Sequence, residues 1–350
     1  MAVGSQREGF HPAAYLAFAV AALAVLVLCL CVGSVSVPLE DTWRIITKAL
    51  TGADADTAFD ANRSIILFVR LPRVLCVALS GAALSIGGAA MQGLLRNPLA
   101  DGSTLGVSSG ASLGAVLAIA LGLSIPGIPV AGTALVAVLF AFLSMMFILS
   151  LALLLDKSLA TNTIILVGVV FSMFISSLIN IIIALFSEKI KTIAFWTLGS
   201  LAGCSYGEAG LLGSALLLSA LVLFPLASEL NAFAIGEENA HHIGVSVRSV
   251  KLRVMISVSL LVGTCVAVGG TIAFVGLVIP HITRMLFGPN HKRLLGASLF
   301  MGMIFLLLCD LAARTLVSPV ELPIGVVTSL IGAVVFVLII YKTRKAVRGA

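Results

Sequence analysis

Apolar residues run along this chain in long continuous blocks, separated by short stretches of Pro, Gly and charge. Apolar and polar positions do not alternate, which favours helices over a membrane-embedded barrel. Ten blocks can be bounded, at roughly 14–34, 74–95, 104–122, 130–155, 163–186, 210–228, 252–270, 271–287, 294–313 and 323–341. A single helix over 252–287 would be about 54 Å long at 1.5 Å per residue, whereas the hydrocarbon core is about 30 Å thick. Gly269-Gly270 is the natural division, and the second half, which carries Pro280, is predicted to be kinked or partly re-entrant. The first block is too long for a signal-peptide core and no small-x-small cleavage site precedes a soluble domain, so it reads as a retained first span.

Composition turns these blocks into membrane spans. Hydrophobic residues make up 60% of 350 and charged residues 10%, with a mean hydropathy of +1.19. A soluble domain is about one quarter charged, so lipid is the solvent for most of this surface. The net charge of +6 is spread too thinly for a nucleic-acid face. With the N-terminus placed inside, thirteen Lys and Arg fall on the inner side and eight on the outer, which predicts both termini in the cytoplasm. Five of the outer eight cluster between Arg44 and Arg73. The six cysteines include no CxxC pair, so neither a disulfide framework nor a zinc site is expected.

Two connections are long enough to do more than connect. Residues 35–73, predicted as an outer loop, include the amphipathic stretch 41–50 with Trp43, which suits a helix lying at the membrane interface. Residues 229–251, on the inner side, read as a short helix, a glycine and a second amphipathic piece, a docking surface for a cytoplasmic partner.

Several chemistries have no residues to carry them. The sequence holds no G-x-x-x-x-G-K-[ST] motif, and indeed no Gly-Lys dipeptide, so ATP is not expected to bind through a P-loop here. Asp310 is the one deep acid, and Arg314 lies four residues on, where the two can pair locally instead of relaying protons. The five histidines show no metal-ligand spacing, no nucleophile–base set stands out, and no enzymatic activity or bound cofactor is expected. Gly106, Gly110 and Gly114 instead form a small-residue series for close helix packing, and Gly81, Ser85 and Ala89 form another.

Arg70-Leu-Pro-Arg73, the block Ser80–Ala100 and Leu105-Gly-Val-Ser-Ser-Gly-Ala111 resemble the FecCD family, the permease subunits of ABC importers for iron–siderophores, haem and cobalamin. Gly236–Val245, Phe274–Arg284 and Glu321–Thr328 agree in the same order, so the resemblance covers nearly everything after the first span. It implies an all-α polytopic membrane protein of ten transmembrane helices per subunit, of the type II ABC importer permease kind. Two permease subunits, identical or related, would enclose a central pathway in the bacterial inner membrane. Two ATP-binding subunits, carrying ATP and Mg, would dock inside, and a substrate-binding protein would deliver a metal chelate from outside. Iron–siderophore is the first expectation for the cargo, then haem, then cobalamin.

The resemblance also distributes roles. It places ATPase coupling at Gly236, Glu237, Glu238, Ala240 and Gly244, with His241 and His242 standing where small or polar residues are usual. It places the docking of acidic residues of the binding protein at Arg70, Arg73 and Arg314, whose planar guanidinium groups suit carboxylates; snorkelling at the membrane interface is the plainer reading. The pathway falls to the fifth span, where Ser172, Ser176 and Asn180 share one face beside Met173. Helix–helix hydrogen bonding would use the same stripe. An ion-coupled transporter, or a membrane subunit that moves nothing, are the competing functions; the first would need buried acids or broken helices in two matching halves.

Overall fold

The computed structural model describes residues 12–33, 37–51, 61–102, 106–123, 129–157 and 159–348. The N-terminal segment with Arg7 and the start of the third apolar block at 104–105 lie outside these residues. Among the described residues all regular secondary structure is helical. In chain order the helices are α1 (Pro12–Cys31), α2 (Leu39–Thr51), α3 (Ala61–Ser64), α4 (Leu71–Leu94), α5 (Val107–Leu121), α6 (Pro129–Leu155), α7 (Thr161–Leu185), α8 (Ile190–Thr197), α9 (Tyr206–Leu223), α10 (Ala227–Phe233), α11 (Glu237–His242), α12 (Val247–Gly269), α13 (Val275–Phe287), α14 (His291–Thr315) and α15 (Ile324–Arg348). Within the described residues each apolar block falls mainly on one helix, except that 210–228 runs past the end of α9 into α10. Seven helical stretches are long and apolar enough to cross a membrane, and α5, α13 and Ile324–Ile339 of α15 are shorter apolar helices. The break between the seventh and eighth blocks falls where the glycine pair stands, α12 ending at Gly269.

The expected loop 35–73 is only partly a loop. A π-helical stretch, Ile65–Arg70, joins α3 to α4, so Asn62–Leu94 is one continuous helix and Arg70 and Arg73 sit within it. The helix extends this far because its outer turns have something to pack on: Ile66 is buried with Val37 and with Ile45 of α2 in a small apolar cluster. On α2, Thr42 and Ile45 point inward while Leu39 and Trp43 are exposed, as an interfacial helix requires.

α4 is the axis of the bundle. Only Leu71, Leu75 and Leu79 among its residues escape full burial, and it packs against α14, α12, α13 and α9. Glycines permit that crowding. A Cβ on Gly81 would strike the Gly302 carbonyl of α14, and one on Gly88 would strike Gly276 of α13, the close backbone approach that small residues allow in membranes. The series Gly106, Gly110 and Gly114 divides. Gly110 and Gly114 face Ser144, Phe140 and Val136 of α6, whereas Gly106 precedes the helix with φ +67 and sits against Ile148 and Phe171. The three therefore do not form a single helix face, because α5 starts only at Val107.

Candidate functional site

Charged side chains gather at the two ends of α4. At its N-terminal end Arg70, Arg73 and Arg314 come together, and all three are buried, at 5%, 6% and 3% exposure. Asp310 lies between them, fully enclosed. Arg73 donates through Nε to Asp310 Oδ1 at 3.0 Å and through Nη1 to Glu321 Oε2 at 2.7 Å. Arg314 Nε lies 3.0 Å from Asp310 Oδ2, so one carboxylate holds two guanidinium groups. The remaining donors reach the C-terminal end of α1, where the last carbonyls have no helical partner. Arg70 Nη1 donates to the carbonyls of Leu30 at 2.7 Å and Cys31 at 3.0 Å, and Arg314 Nη2 to that of Cys29 at 3.1 Å. This cluster fastens α1, α4, α14 and the turn before α15 to one another.

The arginines expected as an outer rim of cations for a partner are paired within this subunit. They are directed inward, because each finds a carboxylate or helix-end carbonyls within the subunit and a buried guanidinium left without such partners would be costly. The local Asp310–Arg314 pair is present, enlarged by Arg73 into a network.

The second cluster belongs to residues 227–251. Gly236 (φ +114) and Gly244 (φ +93) bracket α11, and both angles lie where a residue with a Cβ is strained. Gly236 therefore sets the turn that separates α10 from α11, and Gly244 the turn that separates α11 from α12. Glu237 accepts from Lys251 Nζ at 2.6 Å and from Thr161 Oγ1 at 3.1 Å. Lys251, on the first turns of α12, is fully buried and also donates to the Leu159 carbonyl at 2.7 Å. Ala240 is fully buried beneath α11. Glu238, His241, His242 and Gly244 are exposed, with Ile243 among them at 64%. The two imidazole rings stand 6.3 Å apart, edge to face. Of the seven residues expected to act in coupling, Glu237 and Ala240 are thus internal anchors, and the outward face belongs to Glu238, His241, His242 and Gly244. A cavity of about 550 Å³ lies beside them, lined in part by Arg96, Asn162, Glu238 and Asn239.

The clusters mark opposite ends of the bundle. Arg73 and Gly93 are twenty residues apart on α4, a rise of about 30 Å, and a Cβ on Gly236 would lie 3.8 Å from the Arg96 guanidinium just past that helix. Between the two ends runs α7, whose buried residues are Ile164, Val167, Gly168 and Ile175. Its other face is open. Met173, Ser176 and Asn180 are exposed there, and Ser172 is half-buried.

The sequence profile of the FecCD transport family matches residues 21–342. This chain belongs to the FecCD family. It is 42% identical over 342 residues to the ABC transporter permease protein YvrB of Bacillus subtilis, covering 98% of this chain and 97% of that one. It is 35% identical over 323 residues to the hemin transport system permease protein HmuU of Yersinia pestis, covering 89% and 90%. A solved ABC transporter of metal-chelate type, in an inward-facing conformation, superposes with a TM-score of 0.82 at 30% identity, over 95% of this chain and all of that one. As a FecCD protein the chain is an all-helical, multi-pass membrane permease subunit of an ABC transporter, the non-catalytic transmembrane component.

Three residues of this FecCD permease carry site geometry that the sequence reading did not single out: Lys251, Thr161 and Glu321. For Lys251 a signal existed. Val250, Val254, Met255 and Val258 mark the buried stripe of α12, and Lys251 falls on it. For Thr161 and Glu321 there was none, since each meets its partner across 76 and 248 residues of sequence.

Proposed function

We propose that this chain is the permease of an ATP-driven importer for a metal chelate, with iron–siderophore the first candidate, haem the second and cobalamin the third. Two such subunits, identical or related, enclose the pathway. Two ATP-binding subunits dock on the α10–α11 end, which is the cytoplasmic one, and a substrate-binding protein docks at the arginine-cluster end. The observation that carries this reading is the α10–α11 segment itself. A connection between two spans needs only a few residues, yet here two short helices are separated by a turn at Gly236, anchored underneath by Glu237 and Ala240, and exposed along Glu238, His241, His242 and Ile243. The inward excess of Lys and Arg supports the same orientation, with both termini inside.

In this reading the arginine cluster shapes the receiving surface without offering free cations to it. Its buried bonds hold the exposed turn 315–321 at the mouth of the bundle. The open face of α7, with Ser172, Met173, Ser176 and Asn180, faces the second subunit across the pathway. A stripe of weak hydrogen-bonding groups without strong ligands suits a passage that must release its cargo. ATP-driven closure of the partner subunits moves α11, changes the packing of the spans and opens the pathway inward, an alternating-access cycle.

The test is reconstitution of the permease with its ATPase and binding protein in liposomes. Radiolabelled ferric siderophore, haem and cobalamin are offered separately, with molybdate as a fourth arm because a related permease of Haemophilus influenzae serves molybdate import. Uptake of one chelate, with ATP hydrolysis raised by the loaded binding protein, supports the proposal. Uptake driven by an ion gradient without ATP would overturn it, and uptake of molybdate alone would overturn the chelate assignment.

A further inference from the structure

The lysine cluster does more than anchor α11. Lys251 joins three segments through one ammonium group: its own helix α12, Glu237 on α11, and the Leu159 carbonyl in the turn between α6 and α7. Glu237 then reaches Thr161, the first residue of α7, through its other oxygen. The turn receiving these bonds is itself preformed. Asp156 Oδ2 accepts from the Ala160 amide at 3.0 Å and from Thr163 Oγ1 at 3.3 Å. Leu159 is held at φ +53 with its side chain buried, a backbone conformation that a residue of this type adopts only when its surroundings impose it.

A fully buried lysine requires a reason. Packing alone would be served as well by an uncharged side chain of similar length, since a buried ion pair often stabilises no more than its apolar replacement. What the ion pair adds is a directional connection. The cavity of about 550 Å³ lies between residues 160–162 and 236–239, so on that side α11 meets α7 through the polar clasp and not through a packed apolar contact. α7 in turn carries the stripe of Ser172, Met173, Ser176 and Asn180.

We propose that Lys251 is a positioning residue for coupling: with Glu237 and Thr161 it transmits displacement of α11 to the N-terminal end of α7, and so to the pathway. The proposal rests on the reading of α10–α11 as the ATPase docking segment. The clasp links two elements that would otherwise move independently, and removing such a link alters the coupling between sites and leaves each site intact.

The experiment uses the complete transporter in liposomes and compares wild type with Lys251→Met and Thr161→Val. Two quantities are measured, ATP hydrolysis with and without loaded binding protein, and cargo molecules imported per ATP. Lys251→Met is expected to lower cargo per ATP about tenfold, with hydrolysis within about twofold of wild type. Thr161→Val removes only the hydroxyl tie to α7 and is expected to lower the ratio about threefold. Thr161→Val also serves if Lys251→Met does not assemble. A merely structural role would reduce hydrolysis and import together, so an unchanged ratio in the variants overturns the proposal. If the wild-type permease fails to bind the ATPase, or Ile243→Asp on the outward face of α11 leaves that binding intact, the docking reading falls and this inference with it. An unchanged ratio beside normal wild-type docking removes the inference alone.

Discussion

The two ends of α4 solve the same problem in different ways. Each places a basic side chain where water cannot reach and satisfies it with a carboxylate and backbone carbonyls. At the arginine end the partners lie on α1, α14 and the turn before α15, all parts of the bundle itself. At the lysine end the acidic partner lies on a six-residue helix outside the bundle, with an exposed outer face. One arrangement fastens spans to each other. The other ties the spans to something that can be pushed. Buried charge is therefore not one signal in this protein, and its role depends on what the partner residue is attached to.

The largest effect expected is from Asp310→Asn. It leaves Arg73 and Arg314 buried without their shared charge, and breaking a buried pair costs about 3–5 kcal/mol. Folded permease should fall sharply in yield, with a lower Tm in detergent. Arg73→Glu belongs in the same class. A third carboxylate beside Asp310 and Glu321 should prevent folding, and not simply weaken docking of the binding protein; a stable Arg73→Glu permease that fails only in docking would restore the rim reading.

Gly302→Leu comes next. Its side chain would have to enter the contact with the Gly81 carbonyl and Ser85 Cβ, and overpacking of that kind costs about 1–3 kcal/mol. The expected result is a reduced Tm, with Gly122→Leu as a control, since nothing lies within 4 Å of a Cβ there; Gly122 has φ +65, so the control carries a backbone penalty but no clash. The smallest effect is for His241→Ala and His242→Ala. Both are exposed, so each should move stability by less than about 0.5 kcal/mol, and any change should be in ATPase binding measured by co-purification. A large Tm loss from either would mean that α11 is packed more deeply than its exposure indicates.

The sequence carried the bundle well and the wiring poorly. Continuous apolar blocks reveal helices because lipid demands them, and Gly269-Gly270 divides α12 from α13 because an uninterrupted helix would exceed the membrane. In 229–251 a glycine between two short pieces was legible, but not that Gly236 and Gly244 both turn the chain around α11. The direction of the arginines was not legible either. A cation near the end of an apolar block looks the same in sequence whether it faces a partner or turns inward, and what turns Arg73 inward is Asp310, 237 residues away. Lys251 was counted among the inner charges that set orientation, although its place on the buried stripe of α12 set it apart. The start of the α3–α4 helix was missed for a related reason. Its outer turns are stabilised by Val37 and Ile45, which local pattern does not place nearby.

The most direct test of the contrast compares two matched variants, Glu237→Gln and Glu321→Gln. Each neutralises the partly exposed acid of its cluster, 23% and 35% exposed, and each leaves the basic partner a second acceptor. Tm and cargo imported per ATP are measured for both in the same reconstituted transporter. Glu237→Gln takes the carboxylate from a fully buried lysine and should lower both Tm and cargo per ATP, whereas Glu321→Gln leaves Arg73 its pair with Asp310 and should lower Tm less, with cargo per ATP unchanged. The reverse pattern, or the same pattern for both, would contradict the division into an end that fastens and an end that transmits.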